Sequence, residues 1–177
     1  VRTEQIKNIA NDNFESWPES ATYGYFGSGE APSGTVDRID FSNETTSAPG
    51  NNLTEGRSGL AACSSSSYGY FGGGFAPPIV ATVDRIDFSN ETTSAPGENL
   101  LQPRSNLAAV SSSSYGYFGG GGPPDKLTVY RIDFSNETTT EPGDNLSQAR
   151  NGLAACSSSS YGYFGGGDPS PDGVIDR

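Results

Sequence analysis

Histidine is absent from the 177 residues, methionine is absent too, and there are only two cysteines and one tryptophan. Without His the chain lacks the commonest general base and the commonest zinc ligand, and with them every Ser-His-Asp or Cys-His arrangement. Two cysteines are too few for a disulfide framework. Basic residues are scarce as well: ten Lys and Arg stand against 21 Asp and Glu, a formal net charge of −11. Counterion release from nucleic acid requires clustered Lys and Arg, so no nucleic-acid partner is expected. Anionic membrane surfaces are disfavoured for the same reason. No run approaches the ~18 apolar residues of a transmembrane helix, so no membrane partner is expected either. The opening residues Val1-Arg2-Thr3-Glu4-Gln5 carry no initiator Met, basic leader or apolar signal segment. The expectation is a chain that is processed or that belongs to something longer.

What the chain has is 24 Gly, 12 Pro, long runs of Ser, nine Tyr and nine Phe, with 32% hydrophobic residues. Low hydrophobicity with high net charge suits a disordered chain. The aromatics argue otherwise, because they recur at fixed places, as in a fold of many short strands. Tyr-Gly-Tyr-Phe-Gly begins at Tyr23, Tyr68, Tyr115 and Tyr161, with spacings of 45, 47 and 46 residues. Arg-Ile-Asp-Phe-Ser-Asn-Glu-Thr-Thr begins at Arg38, Arg85 and Arg131, and an Arg stands three residues before Leu-Ala-Ala or its equivalent at Arg57, Arg104 and Arg150. Residues Thr35 to Gly50 are identical to Thr82 to Gly97. Such a period is that of a propeller or solenoid repeat.

Each unit parses into strand-sized pieces. Leu60-Ala61-Ala62-Cys63 ends in serines; Tyr68-Gly69-Tyr70-Phe71 is stopped by Gly72-Gly73-Gly74. In Val83 to Phe88 the period of two puts Val83, Arg85 and Asp87 on one face and Asp84, Ile86 and Phe88 on the other. Pro96-Gly97 marks a turn, and a weak edge piece is expected around Asn99-Leu100-Leu101. The expected fold is therefore all-β, four short antiparallel strands per unit. Small residues in the first strand suit close approach of innermost strands. A helical pattern is visible, weakly, only in the first dozen residues around Ile6 and Ile9. The expected division is an irregular N-terminal segment, 1–21, followed by repeats over 22–177: a partial unit at 22–57, full units at 58–104 and 105–150, and a partial unit at 151–177.

An Arg, then small apolar residues, then an aromatic strand ending in Gly-Gly, then Val-x-Arg-Ile-Asp-Phe, resembles the kelch repeat. The resemblance covers residues 22 to 177, with Thr and Ser where the family commonly has Trp; the single Trp17 lies in the first segment. It implies kelch-like β-propeller blades, about four of them, within a larger propeller of five to seven. The variant joining Tyr-Gly-Tyr-Phe-Gly-Gly-Gly to Val-Asp-Arg-Ile-Asp-Phe-Ser-Asn is similar to repeats in structural proteins of marine bacteriophages. That implies a virion or extracellular location. The expected function is a non-enzymatic structural or adhesive module such as a fibre, tail or capsid attachment; the alternative is a propeller binding a protein or glycan. Expected partners are other protein subunits or a surface ligand, with self-association open. Kelch-like oxidases provide an enzymatic comparison, but their His and Tyr-Cys metal apparatus has no counterpart here.

The remaining residues read as structure rather than chemistry. No Lys-Ser or Lys-Thr follows the glycine runs, so they are turns and not phosphate loops. Cys63 and Cys156 share a repeat position that Val110 fills between them, which predicts two reduced, buried thiols too far apart to join. Asp40, Asn43 and Glu44, with their copies Asp87, Asn90, Glu91 and Asp133, Asn136, Glu137, offer oxygen ligands for Ca²⁺. Their spacing matches no complete loop signature, and turns in which Asn and Asp bond their own backbone, with Asp paired to the neighbouring Arg, are the favoured reading, so no metal or other cofactor is expected. Asn43, Asn90 and Asn136 also begin glycosylation sequons, relevant only in a eukaryotic secretory setting. What differs between units is the loop after the glycines: Glu30 to Ser33, Phe75 to Val80, Pro123 to Leu127, and Asp168 to Pro171. Loops on one face of a rigid scaffold are the usual place for recognition. The candidate binding residues are Phe75, Pro77, Pro78, Ile79, Pro123, Pro124, Asp125 and Lys126.

Overall fold

The computed structural model describes residues 22–29, 32–169 and 173–177. The segment 1–21, with its expected irregular structure, weak helical pattern and Trp17, lies outside the described residues, as do Glu30, Ala31, Ser170 and Pro171 of the outer loops. Among the described residues there is no helix, and fourteen strands form four antiparallel sheets. The first sheet holds β1 (Tyr23–Gly27), β2 (Val36–Asp40) and β3 (Thr45–Ser47). The second holds β4 (Ala61–Ser64), β5 (Tyr68–Gly72), β6 (Val83–Asp87) and β7 (Thr93–Ser94). The third repeats it as β8 (Ala108–Ser111), β9 (Tyr115–Gly119), β10 (Val129–Asp133) and β11 (Thr139–Thr140). The fourth has β12 (Ala154–Ser157), β13 (Gly162–Gly165) and β14 (Ile175–Asp176). Strands follow one another in chain order within every sheet.

Local chemistry sets the hairpins. After β4 the Ser65 hydroxyl accepts from the amides of Ser67 and Tyr68, closing a tight serine turn that starts β5 in register. After β6 the Asp87 carboxylate accepts from the Ser89 amide at 2.8 Å, Asn90 accepts from the Thr92 amide at 2.9 Å, and Glu91 takes a left-handed φ of 58°. The chain therefore reverses at once, and the fourth strand is Thr93–Ser94. The expected edge strand around Leu100 does not form. Leu100 is 4% exposed and packs into the core from a loop, held by its amide on the Ala81 carbonyl.

The alternation expected across β6 is present, but both of its faces are covered: Val83 and Asp84, on opposite faces, are each 0% exposed. Each sheet packs against the next. The first strands, rich in small residues, lie side by side, β4 against β8 and β8 against β12. The main core lies between the second and third sheets, where Cys63, Tyr70, Val83, Leu107, Phe118, Tyr130 and Ile132 meet. A Phe from each of the second, third and fourth sheets presses on a glycine of the sheet before. A Cβ added to Gly72 would stand 2.7 Å from the Phe118 ring; Gly27 meets Phe71 and Gly119 meets Phe164 in the same way. Glycine is required there because any side chain would displace a buried ring.

Candidate functional site

The two candidate loops occupy equivalent places, each joining the second and third strands of its sheet. Phe75 makes an antiparallel bridge with Ser58 and with Ile79, and the Val80 amide donates to the Gly74 carbonyl at 2.9 Å. Pro77 and Pro78 are exposed, Ile79 is half-buried, and the Phe75 ring remains 42% exposed. In the next loop Pro123 and Pro124 are exposed while Asp125 and Lys126 are half-buried. Asp125 accepts from the Asn151 side-chain amide at 2.7 Å, and Lys126 pairs through its backbone with Arg150. Both loops are thus tied at their bases and carry exposed proline tips. Among the described residues no hydrogen bond joins one loop to the other.

Directly beneath these loops lie three arginines whose role the repeat pattern does not reveal. Arg57, Arg104 and Arg150 are exposed by no more than 1%. Arg57 donates to the carbonyls of Gly73 at 2.8 Å and Thr82 at 2.6 Å, and its other terminal nitrogen reaches Asp84 at 2.5 Å. Each arginine clamps the glycine turn to the far side of its loop, donating to the glycine carbonyl and adding a second donor to a carbonyl that already accepts from a backbone amide, as Thr82 does from Gly73. Desolvation pulls the Arg57 pKa down and the Asp84 charge pulls it back up. In the third sheet Tyr130 replaces Asp84; Arg104 lies 4.0 Å above its ring and donates to the Thr128 hydroxyl. A cation–π contact there takes the place of an ion pair. Arg150 returns to the first arrangement, paired with Asp176.

At the joint between sheets a second polar set recurs. Arg38 stacks over Tyr23 and donates to Glu91 of the next sheet at 2.7 Å; the Tyr25 hydroxyl donates to the same oxygen at 3.1 Å. Arg85, Tyr70 and Glu137 repeat this with distances of 2.7 and 3.2 Å. Burial, then the hydrogen bond to Glu91, pushes the Tyr25 phenol up to about 12, so it serves as a donor and not as a base. The ring of Tyr25 stacks on Phe88, and that of Tyr70 on Phe134, with centroids 5.2 Å apart in both pairs. Glu91 and Glu137 therefore turn away from the Asp-Phe-Ser-Asn turns toward the preceding sheet. Asp87 and Asn90 are bonded within their own turn, as expected, but the expected pairing of Asp with the neighbouring Arg is not found among the described residues, because Arg38 and Arg85 pair instead with Glu91 and Glu137 of the following sheet. Among the described residues no group of three Cys, Asp or Glu has the geometry to hold a metal ion.

The cysteines differ from expectation in one respect. Both are free, and Cys63 is buried, its thiol pushed well above the usual range by desolvation, but Cys156 is exposed. Cys63 and Val110 are each covered by the glycine strand of the following sheet, at Gly116 and Gly162; Cys156 has no such strand over it among the described residues. Two hollows remain. One of about 360 Å³, bordered by Tyr117, Leu146, Tyr161 and Phe164, lies between the third and fourth sheets. It sits where the neighbouring joint holds Phe134. The other, of about 440 Å³, is a shallow ledge between the serine turns of the second and third sheets. Its serine hydroxyls bond locally and face no basic partner. Among the described residues no helix is long and apolar enough to cross a membrane.

No protein-family model matches the chain, and no curated protein matches it.

Proposed function

We propose that the chain is a non-enzymatic structural or adhesive module, its four sheets acting as kelch-like blades of a propeller within a bacteriophage particle. One observation carries this reading: the charged and aromatic groups that recur are committed to holding sheets together, while the variation between units falls in the loops over Phe75–Val80 and Pro123–Leu127. Repeated side chains serving every joint alike are the pattern of a scaffold, whereas catalysis needs a unique constellation. Side-by-side packing of the small first strands supports an arrangement of sheets about a common axis. The exposed rings of Phe75, Pro77, Pro78, Pro123 and Pro124 supply an apolar rim on one end, suited to a protein or glycan surface.

Peptide mass spectrometry of density-purified particles from the source tests the assignment. Peptides of this chain are expected in stoichiometric amount with the particle. Their absence from particles, with binding to a cellular protein or glycan array that is lost on Phe75→Ala, would replace the virion role by the ligand-binding one.

A further inference from the structure

The joint between the second and third sheets is built from four contacts, and among the described residues its two halves recur, open, on the first and fourth sheets. In the joint between the second and third sheets, Gly72 receives Phe118, Tyr70 stacks on Phe134, Tyr70 and Arg85 hold Glu137, and Cys63 covers Gly116. On the fourth sheet the corresponding receiving residues are Gly165, Tyr163, Arg177 and Cys156. A Cβ at Gly165 would meet only Val174 and Ile175 of its own sheet, and Cys156 is exposed. On the first sheet the corresponding inserting residues are Phe26, Phe41, Glu44 and Gly24. Phe26 is 63% exposed, whereas its counterparts Phe71 and Phe118 are at most 2% exposed; Phe41 is 55% exposed, whereas its counterparts Phe88 and Phe134 are half-buried.

Both halves already hold the conformation used inside the chain. Arg177 lies 4.6 Å over the Tyr161 ring, as Arg85 lies 4.6 Å over Tyr68. Glu44 has a φ of 58°, the same as Glu91 and Glu137, which bind Arg38 and Arg85. Exposed faces of this kind, pre-shaped and opposite in charge, require little reordering to associate.

We propose that two copies of this chain associate head to tail, the fourth sheet of one receiving Phe26, Phe41 and Glu44 from the first sheet of the other. Phe26 enters the space over Gly165, Phe41 stacks on Tyr163, Glu44 reaches Arg177 and the Tyr163 hydroxyl, and Cys156 covers Gly24. The contact is heterologous, so repetition closes a ring or extends a filament according to the rotation between copies. Such pairing follows from the joint geometry alone, whatever particle the module serves.

Sedimentation velocity of the 177-residue chain, between about 1 and about 100 μM at physiological salt, reads the association by mass action. Multiples of the 18.4 kDa monomer are expected to grow with concentration. Phe26→Asp is expected to weaken association by at least about tenfold, as for an anchor residue at an interface centre. Glu44→Arg and Arg177→Glu are each expected to abolish self-association through like-charge opposition, yet a mixture of the two variants associates, because each then meets an opposite charge on the other. All three residues are exposed in the single chain, so unchanged circular dichroism of each variant is expected and confirms folding. A chain that stays monomeric throughout the range overturns the proposal. Association that survives Phe26→Asp, or a mixture that fails to associate, places the contact elsewhere and overturns it as well.

Discussion

The second and third sheets bury what the first and fourth leave open, although all four are written in nearly the same residues. Phe118 is 0% exposed and Phe26 is 63% exposed, each in the string Tyr-Gly-Tyr-Phe-Gly. Cys63 and Cys156 close the same Ala-Ala-Cys-Ser strand, one inside the core and one at the surface. The difference teaches that a unit's residues are apolar or charged for the sake of the neighbouring unit, and that a single sheet has no interior of its own. This is the nearest-neighbour logic of repeat proteins, in which stability resides largely in the joints.

The largest effect that sharpens this contrast is expected at the buried clamps. Arg57→Ala leaves the Asp84 charge unpaired at 0% exposure and strips the Gly73 carbonyl of its donor, while Thr82 keeps only the Gly73 amide. A loss of about 3–5 kcal/mol is expected in denaturant unfolding. Arg150→Ala is expected to cost less, since its partner Asp176 retains 16% exposure and access to water. Equal losses from the two would break the comparison between inner and outer sheets.

Next in size is the ring that enters a glycine notch. Phe118→Ala is expected to destabilise the chain by about 3–5 kcal/mol, the cost of emptying a buried aromatic site. Phe26→Ala, at the same repeat position, is expected to stay within about 0.5 kcal/mol under conditions where the chain is monomeric. Equilibrium urea titrations of the two variants read the difference directly. Gly116→Ala is expected to cost about 1–3 kcal/mol, because its Cβ would overlap the Cys63 sulfur.

The thiols give a chemical readout of the same contrast. Under native conditions iodoacetamide is expected to modify Cys156 and spare Cys63, which desolvation keeps as a thiol. Peptide mapping that finds both modified at similar rates would show that the second and third sheets open together easily.

The smallest effect is expected from the Asp turns. Hydrogen bonds from the side chain and then the backbone of Ser42, Ser89 and Ser135 hold the carboxyls of Asp40, Asp87 and Asp133 below their ordinary 3.8. A depressed carboxyl contributes stability that is complete above its unfolded value and is lost as pH falls through the folded one. The unfolding midpoint is therefore expected to drop between about pH 4 and lower values, and the drop to shrink in Ser89→Ala. These turns are exposed and present in the inner and outer sheets alike, so the first and second sheets are expected to respond equally.

The sequence by itself determined the period, the all-β character, the second and third strands of each unit and the serine and Asp turns, because these depend on side chains acting within a few residues of themselves. Phe75, Pro77, Pro78, Pro123 and Pro124 were legible as exposed loop residues from their variation between otherwise copied units. The apolar pair in Asn99-Leu100-Leu101 reads as a weak edge piece, whereas the Asp87 and Asn90 turns reverse the chain earlier and put the fourth strand at Thr93–Ser94. Only the tertiary structure decided what each copy of a residue does. Arg57, Arg104 and Arg150 stand in the sequence only as a recurring position and are buried clamps in the fold, since the carbonyls they bond are brought together by the loops above them. Cys63 and Cys156 have the same neighbours in sequence, and their fates part because burial is conferred by an adjoining sheet, a contact that lies about one whole repeat away along the chain and leaves no local mark.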